Sequence, residues 1–174
     1  MAVLDSGPLV WLAKAYRLGL LKALFGDVVV PSEVYRGVVS EGLRLGFSDA
    51  LAVKEVVKEE RWIKVKTLEG EERELSLRLA ESAKEIHYGE AQAMALARGL
   101  DAVVLLDKSC GRALAEALGV ETRGNLYVVL RALKLGLLCK SEAKETVAML
   151  VAKGMRLDPR LLSRVLNEID GYEA

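Results

Sequence analysis

The chain has 174 residues, and 52% of them are hydrophobic, which is enough to fill the core of one domain of ordinary size. Its 25 basic and 25 acidic side chains give a formal net charge of zero. This balance excludes a protein that attracts nucleic acid through a strong overall positive field, so an RNA or DNA partner would need a local basic patch or a bridging metal ion.

Short apolar runs predict five β-strands, at residues 2–5, 28–30, 62–65, 103–106 and 120–122. Apolar residues at helical spacing predict helices between and after these strands. They cover residues 9–24, a stretch opened by Pro31 and Ser32, and residues 48–60, 68–86, 90–98, 108–118, 126–135, 141–152 and 159–169. The alternation of strand and helix predicts an α/β fold with right-handed crossovers and a parallel sheet covered by helices.

Local signals predict where some of these elements start and stop. Ser6 is the expected cap of the first helix, and Gly26 is expected to end it. Gly42 and Gly46 are expected to interrupt the second helix. Because no linker or repeat divides the chain, residues 1–174 are predicted to form a single domain, with the helices at about 141–169 packing on it or on a partner.

The cellular setting is predicted from what the sequence lacks. No apolar run approaches the roughly 20 residues that a membrane span needs, and an N-terminal strand with an acid at position 5 is no signal peptide. Cys110 and Cys139 form no C-x-x-C pair, which favours a reducing compartment. We therefore expect a cytoplasmic protein without membrane contact.

Four acids lie where a strand ends or a helix begins, each within an otherwise apolar stretch. They are Asp5, Glu33, Glu90 and Asp107. Ligands of an open parallel sheet bind beyond the carboxyl ends of the strands, where Asp5 and Asp107 are expected. Glu33 follows the second strand closely, whereas this rule alone does not place Glu90. If the four acids meet, a divalent cation would relieve their repulsion, and a cation on carboxylates is the chemistry of phosphodiester hydrolysis.

Each of these acids also has a structural interpretation. Acids are favoured in the first turn of a helix by its dipole, so Glu33, Glu90 and Asp107 are individually as typical of helix starts as of ligands. Asp5 favours a functional role, because it directly follows a buried strand and Ser6 is available for capping. Ser6 itself has two interpretations, as the cap or as a donor to a metal-bound water.

The basic and aromatic residues near these acids leave alternatives open. Lys108 and Arg112 lie on one helical face, either as a phosphate clamp for RNA or as a solvated face on which Arg112 pairs with Glu116. The second interpretation is slightly favoured. Asn125 is predicted to be a helix cap, with a role in orienting water left open.

Among the remaining candidate residues, the structural interpretation is favoured. The only histidine, His87, is expected at the surface. The aromatic residues Trp11, Tyr16 and Trp62 are expected in the core rather than as platforms for stacked bases.

Five sequence segments resemble the PIN-domain proteins, a group of metal-dependent ribonucleases that includes the VapC toxins. They are Val-Leu-Asp-Ser-Gly-Pro-Leu (3–9), Val-Val-Pro-Ser-Glu-Val-Tyr (29–35), Gly-Glu-Ala-Gln-Ala-Met-Ala-Leu-Ala (89–97), Leu-Leu-Asp-Lys-Ser-Cys-Gly-Arg (105–112) and Gly-Met-Arg-Leu-Asp-Pro (154–159). Each motif is loose, but their order and spacing together are specific. The resemblance covers nearly the whole chain and is to a poorly characterised prokaryotic branch of the group.

The resemblance implies a three-layer sandwich around a parallel sheet of about five strands. It also implies a metal-dependent endoribonuclease with catalytic acids at Asp5, Glu33, Glu90 and Asp107. Asp5, Glu90 and Asp107 would bind Mg²⁺ or Mn²⁺. Relatives often carry a further acid where this chain has Lys108, so one firmly held ion is expected.

The resemblance further implies partners. These are RNA, a small antitoxin protein if the chain is the toxin of a toxin–antitoxin pair, and a second copy of the chain in a homodimer. The alternative hypothesis is a PIN-like module that binds RNA or protein without cleaving it. A phosphatase or response-receiver fold is disfavoured, because Gly7 stands where a second acid would follow Asp5.

Overall fold

A computed structural model describes residues 1–173 and shows a sheet of five parallel strands between two helical layers. The strands are β1 (Ala2–Leu4), β2 (Val28–Pro31), β3 (Ile63–Lys66), β4 (Val103–Leu105) and β5 (Thr122–Arg123). The helices are α1 (Ser6–Lys14), α2 (Gly19–Phe25), α3 (Ser32–Tyr35), α4 (Gly42–Arg44), α5 (Ser48–Lys58), α6 (Gly70–Ser82), α7 (Tyr88–Gly99), α8 (Ser109–Ala117), α9 (Asn125–Lys134), α10 (Lys140–Ala152) and α11 (Pro159–Gly171). A π-helical segment, Arg36–Glu41, joins α3 to α4.

The sheet separates two hydrophobic cores. Successive residues of a strand point to opposite faces, so Ala2 and Leu4 pack on one side and Val3 on the other. The first core is formed with α1, α2, α5 and α9–α11, and the second with α6, α7 and α8. This arrangement confirms the predicted three-layer α/β sandwich, and it explains why β1, β2 and β4 are continuous apolar runs.

The order of the strands in the sheet is β3-β2-β1-β4-β5. The chain builds outward from β1 to β3 and then returns to the other side of β1, so the direction of winding reverses between β1 and β4. Leu4 of β1 pairs with Leu105 of β4. The carboxyl ends of these two central strands therefore flank the point at which sheets of this kind bind ligands.

The first predicted helix is divided in two. Tyr16 has a φ of 56°, and the Arg17 N–H donates to the Leu12 carbonyl at 2.8 Å, which closes α1 before α2 begins. The Arg17 side chain donates to Thr146 Oγ1 of α10 at 3.0 Å. Tyr16 is 79% exposed, so its predicted place in the core was wrong, whereas Trp62 is buried as expected.

Two other local expectations were wrong. The helical backbone continues through Gly42, where a break was expected, because the glycine lets this segment approach α5. The fifth strand is Thr122–Arg123 rather than 120–122, because Val120 still belongs to the turn after α8. Its N–H donates to the Ala115 carbonyl at 2.9 Å.

The two C-terminal helices bury their apolar faces within the chain. Val147 and Leu150 of α10 and Val165 and Ile169 of α11 belong to the first core, which also contains residues of α1 and α9. No helix among residues 1–173 combines the length and apolarity needed to cross a bilayer.

The close approach at Gly42 predicts a stability difference between two glycines. A Cβ at position 42 would lie 2.8 Å from the Ala50 Cβ, so Gly42→Ala should lower the free energy of unfolding by about 1–3 kcal/mol. Gly37 is helical and exposed, with no described atom within 4 Å of a Cβ there, so Gly37→Ala should be neutral or stabilising by up to about 1 kcal/mol. Urea unfolding of both variants checks this, and equal stabilities would contradict the packing described.

Candidate metal-binding active site

Asp5 and Asp107 lie at the carboxyl ends of the two central strands. The backbone N–H of Asp5 donates to the Leu105 carbonyl at 3.2 Å, which continues the β1–β4 ladder by one bond and places Asp5 at the sheet edge. Asp107 follows the end of β4 by two residues. Asp5 is only 9% exposed, so its carboxylate faces the interior of the site rather than bulk water.

Glu90 reaches the same edge from the first turn of α7. A helix that leads into the amino end of a parallel strand must begin near the opposite edge of the sheet, where the carboxyl ends lie. The strand-end rule alone does not place Glu90 at this edge, but the direction of α7 does. Glu90 is 2% exposed, and helix α8 approaches it so closely that a Cβ at Gly111 would lie 2.1 Å from Glu90 Oε1.

All four predicted acids line one cavity of about 440 Å³ at this edge. We call it the carboxylate cavity. Its walls also include Ser6, Trp11, His87 and Lys108. Residues from β1, α3, α7 and the β4–α8 connection are thus brought together from positions up to about a hundred residues apart in the chain.

Glu33 lies in this cavity but is already paired. Arg36, one helical turn further on, donates to both of its carboxylate oxygens, with the Nε–Oε2 distance at 3.2 Å. The hydrogen bond from Arg36 holds the pKa of Glu33 below its usual value, although partial burial opposes the change. Glu33 is therefore a charged, partly exposed member of the site.

Glu90 is satisfied at only one oxygen. Lys108 Nζ donates to Oε2 at 3.3 Å, whereas Oε1 is buried and has no hydrogen-bond partner among the described residues. Burial raises the pKa of Glu90, and the charge of Asp5 raises it further, while the ammonium group of Lys108 opposes both. An unpartnered carboxylate oxygen in a buried site is costly unless another group approaches it.

Asp107 is held by the first residue of α9. The Asn125 N–H donates to Oδ1 at 3.2 Å, and the Asn125 side-chain Nδ2 donates to Oδ2 at 2.6 Å. Burial nevertheless raises the pKa of Asp107 to about 6, with a further rise from Asp5 and opposing effects of Asn125 and Arg112. Asn125 is the first residue of α9, after Gly124 at the cap position, so the capping prediction was wrong, and its side chain positions Asp107 instead. A role in orienting water stays a prediction.

The predictions for Ser6, Lys108 and Arg112 have different outcomes. Ser6 is the first residue of α1 rather than its cap, and its hydroxyl donates to Asp5 Oδ1 at 3.3 Å, so the capping prediction was wrong. Lys108 pairs with Glu90. The favoured Arg112–Glu116 pair does not form within residues 1–173, and Glu116 instead accepts from Thr122 Oγ1 at 3.3 Å.

His87 is exposed, as expected, and it lies on the cavity wall just before α7. Trp11 is half-buried and borders the cavity as well, so it is not a simple core residue.

The chemistry of these residues suits a hard divalent cation. Within residues 1–173, no three His, Cys, Asp or Glu side chains form a ready-made ligand cluster. The acids that line the cavity nonetheless offer carboxylate oxygens, which Mg²⁺ and Mn²⁺ prefer. Burial is the main cause of the raised pKa values of Glu90 and Asp107, and the charge of Asp5 raises both further.

The raised pKa of Asp107 predicts the pH dependence of stability in the presence of a chelator. The folded protein keeps this proton up to about pH 6, whereas the ordinary value is 3.8, so stability should fall as pH rises from about 4 to about 6. The difference corresponds to about 3 kcal/mol at most. In Asp107→Asn this contribution should disappear, and rotation of the Asn125 amide would let its unpartnered Oδ1 accept from the new side chain.

Urea unfolding in EDTA at several pH values between 4 and 7 measures this effect. Asp101→Asn is the matched control, because Asp101 is exposed at the opposite edge of the sheet and has a φ of 49° that asparagine tolerates. Parallel pH profiles for the wild type and Asp107→Asn would show that the carboxyl is not buried as described.

Comparison with known proteins agrees with this architecture. A family model described as a PIN domain matches residues 1–171. No curated protein and no solved structure matches the chain significantly. Since the match covers almost the entire length, the chain belongs to the PIN-domain family.

Proposed function

We propose that the protein is a metal-dependent endoribonuclease. The observation that carries this proposal is the carboxylate cavity, in which four acids from separate segments of a PIN domain meet at the switch point of the sheet. One of them, Glu90, has a buried oxygen, Oε1, that lies against Gly111 of α8 and has no hydrogen-bond partner in the described part of the chain. Such a site is better suited to binding a cation than to stabilising the fold.

Asp5, Glu90 and Asp107 would hold the ion. Glu33 and Arg36 lie on the same side of the cavity as a preformed ion pair, and Lys108 balances part of the charge of Glu90. Two of the four carboxylates are thus paired with basic side chains, and the charge of the other two is matched by one divalent ion. This balance supports the single Mg²⁺ or Mn²⁺ expected from the sequence.

The ion, when bound, would lower the pKa of a water molecule and stabilise negative charge on the scissile phosphate. Asn125 keeps Asp107 oriented through two hydrogen bonds, and Ser6 does the same for Asp5 through one. Lys108, whose side chain is 46% exposed, and Arg112 line the two neighbouring cavities and would contact the phosphate groups of RNA. Hydrolysis would leave a 5′-phosphate and a 3′-hydroxyl.

A second candidate function is that of a PIN-like module that binds RNA without cleaving it. The specific observation in its favour is that Lys108 and Arg36 already pair with Glu90 and Glu33. Together with the absence of a ready-made ligand cluster in residues 1–173, these pairs are what a residual site would show. A role as the toxin of a toxin–antitoxin pair would require RNA cleavage, so it belongs to the ribonuclease proposal and not to this second candidate.

Cleavage of single-stranded RNA distinguishes the two functions. The wild type should cleave in Mn²⁺ or Mg²⁺ and not in EDTA, and Asp5→Asn should lower kcat/KM. Because outer partners of metal ligands are worth about 10–100-fold, loss of a ligand should reduce activity by about 100-fold or more. Asp101→Asn, at the opposite edge of the sheet, should retain full activity.

Two results would contradict the proposed nuclease. Cleavage that persists in EDTA or survives Asp5→Asn would remove the metal-dependent mechanism. Binding of RNA without cleavage under all metal conditions would favour the non-catalytic module.

A further inference from the structure

A second cavity of about 440 Å³ adjoins the carboxylate cavity, and the two share Trp11 and Asp107. Its walls come from the carboxyl end of β5, the start of α9, helix α8 and the loop between α10 and α11. Three arginines line it, Arg112, Arg123 and Arg156, and we call it the arginine cavity. Its position next to Asp107 places these guanidinium groups beside the proposed reaction centre.

The loop that carries Arg156 is firmly held on both sides. Gly154 has a φ of 102°, and the Met155 N–H then donates to the Leu150 carbonyl at 2.9 Å while its side chain is 9% exposed. On the other side, Asp158 caps α11 by accepting from the N–H groups of Arg160 and Leu161 at 2.9 and 3.2 Å. Arg156 is therefore presented from a fixed backbone rather than from a loose connection.

The Arg156 guanidinium has no ion-pair partner in the part of the chain that the structure describes, and its residue is exposed. Arg112 is likewise without an ion pair among those residues. The cavity wall has three acids: Glu116 accepts from Thr122, Asp158 caps α11, and Asp107 lies near the charge of Arg112, which opposes the rise in the pKa of Asp107. Arg156 is therefore the arginine most available to a ligand that enters from solvent, while Arg112 also faces Asp107.

The third arginine of the cavity, Arg123, is held in place by its neighbours. It donates to the Thr122 carbonyl at 2.7 Å, pairs with Glu121 at 2.7 Å and lies over the Tyr127 ring at 4.8 Å. Its Nε is buried and has no hydrogen-bond partner among residues 1–173. The planar fork of an arginine matches the oxygens of an anionic group such as a phosphate, so Arg112 and Arg156, beside the already paired Arg123, favour a phosphate-bearing ligand.

The aromatic residue between the two cavities adds a second recognition element. Trp11 is half-buried and borders both spaces, and Lys14 Nζ lies over one face of its ring, 4.9 Å from the centroid. Aromatic rings beside a basic groove are the usual platform for unstacked bases of a single strand. The bases of a double helix are paired and stacked on one another, so they could not stack on this ring.

We propose that the arginine cavity binds the sugar–phosphate backbone of single-stranded RNA next to the nucleotide held over the carboxylate cavity. This inference rests on the proposed function for the identity of the substrate, but it concerns binding rather than cleavage. It assigns a role to the C-terminal Gly-Met-Arg-Leu-Asp-Pro segment, residues 154–159, which the reaction centre itself does not use. Arg156 is the substrate-binding residue of that segment.

Binding of a fluorescent single-stranded RNA of about 12 nucleotides, measured by anisotropy in EDTA at several salt concentrations, tests the proposal. Arg156→Ala should weaken binding by about tenfold. It should also reduce the slope of log K against log salt by about 0.7, because one phosphate contact is lost. Arg160→Ala is the matched control, since Arg160 is exposed on the adjacent helix and does not line the cavity.

Steady-state cleavage in Mn²⁺ separates this proposal from the nuclease assignment. Arg156→Ala should raise KM by a similar factor and leave kcat and Mn²⁺ affinity unchanged. If the wild type binds RNA without cleaving it and Arg156→Ala weakens that binding, the nuclease assignment fails while the cavity assignment stands. If RNA is cleaved but Arg156→Ala matches Arg160→Ala in affinity, salt slope and KM, the cavity assignment is overturned and the nuclease assignment stands.

Discussion

Repulsion between carboxylates at one edge of the sheet is the constraint on which the rest of the site depends. Two carboxylates about 5 Å apart repel by roughly 3 kcal/mol at an effective dielectric constant of 20, and burial increases the penalty on the charged forms. Burial is the larger cause of the raised pKa values of Glu90 and Asp107, and repulsion from Asp5 adds to it. A fold that gathers such groups must either neutralise them or leave room for a cation.

The protein neutralises some of these carboxylates and leaves a cavity beside the others. Lys108 and Arg36 neutralise Glu90 and Glu33, while Asn125 stabilises Asp107 through two hydrogen bonds. Asp5 is electrostatically coupled to both Glu90 and Asp107, because its negative charge raises the pKa of each. The charge that remains is concentrated at the switch point of the sheet, and the neutralised acids lie around it. This distribution explains how an apparently neutral chain can hold a strongly acidic site.

Much of the fold was predictable because burial on both faces forces continuous apolar strands. Val28–Pro31 and Val103–Leu105 show this pattern, and both strands were predicted to within one residue. The errors arose where tertiary contacts override local signals. Gly42 continues a helix because Ala50 packs against it, and Tyr16 ends one in a left-handed conformation that no sequence signal marks. The fifth strand has two residues, which is too short for a reliable pattern.

The candidate site was predictable to a similar degree. Asp5 and Asp107 follow from the strand-end rule, and Glu90 follows from the direction of a helix that leads into a parallel strand. The partners of these acids do not follow, because Lys108 and Asn125 reach them across 18 residues of chain in each case. The arginine cavity was also beyond sequence reasoning, since Arg156 lies about fifty residues from Asp107 and meets it only through the packing of α10 and α11.

The central claim is that these carboxylates accumulate because a divalent cation balances them. A crystal of the protein soaked in Mn²⁺ tests it most directly, through the anomalous signal of the metal. We predict one strong peak within coordinating distance of Asp5 and Asp107, with Glu90 as a ligand or bound to one of the waters of the ion. An empty carboxylate cavity at saturating Mn²⁺, or a peak confined to other surface acids, would contradict the account.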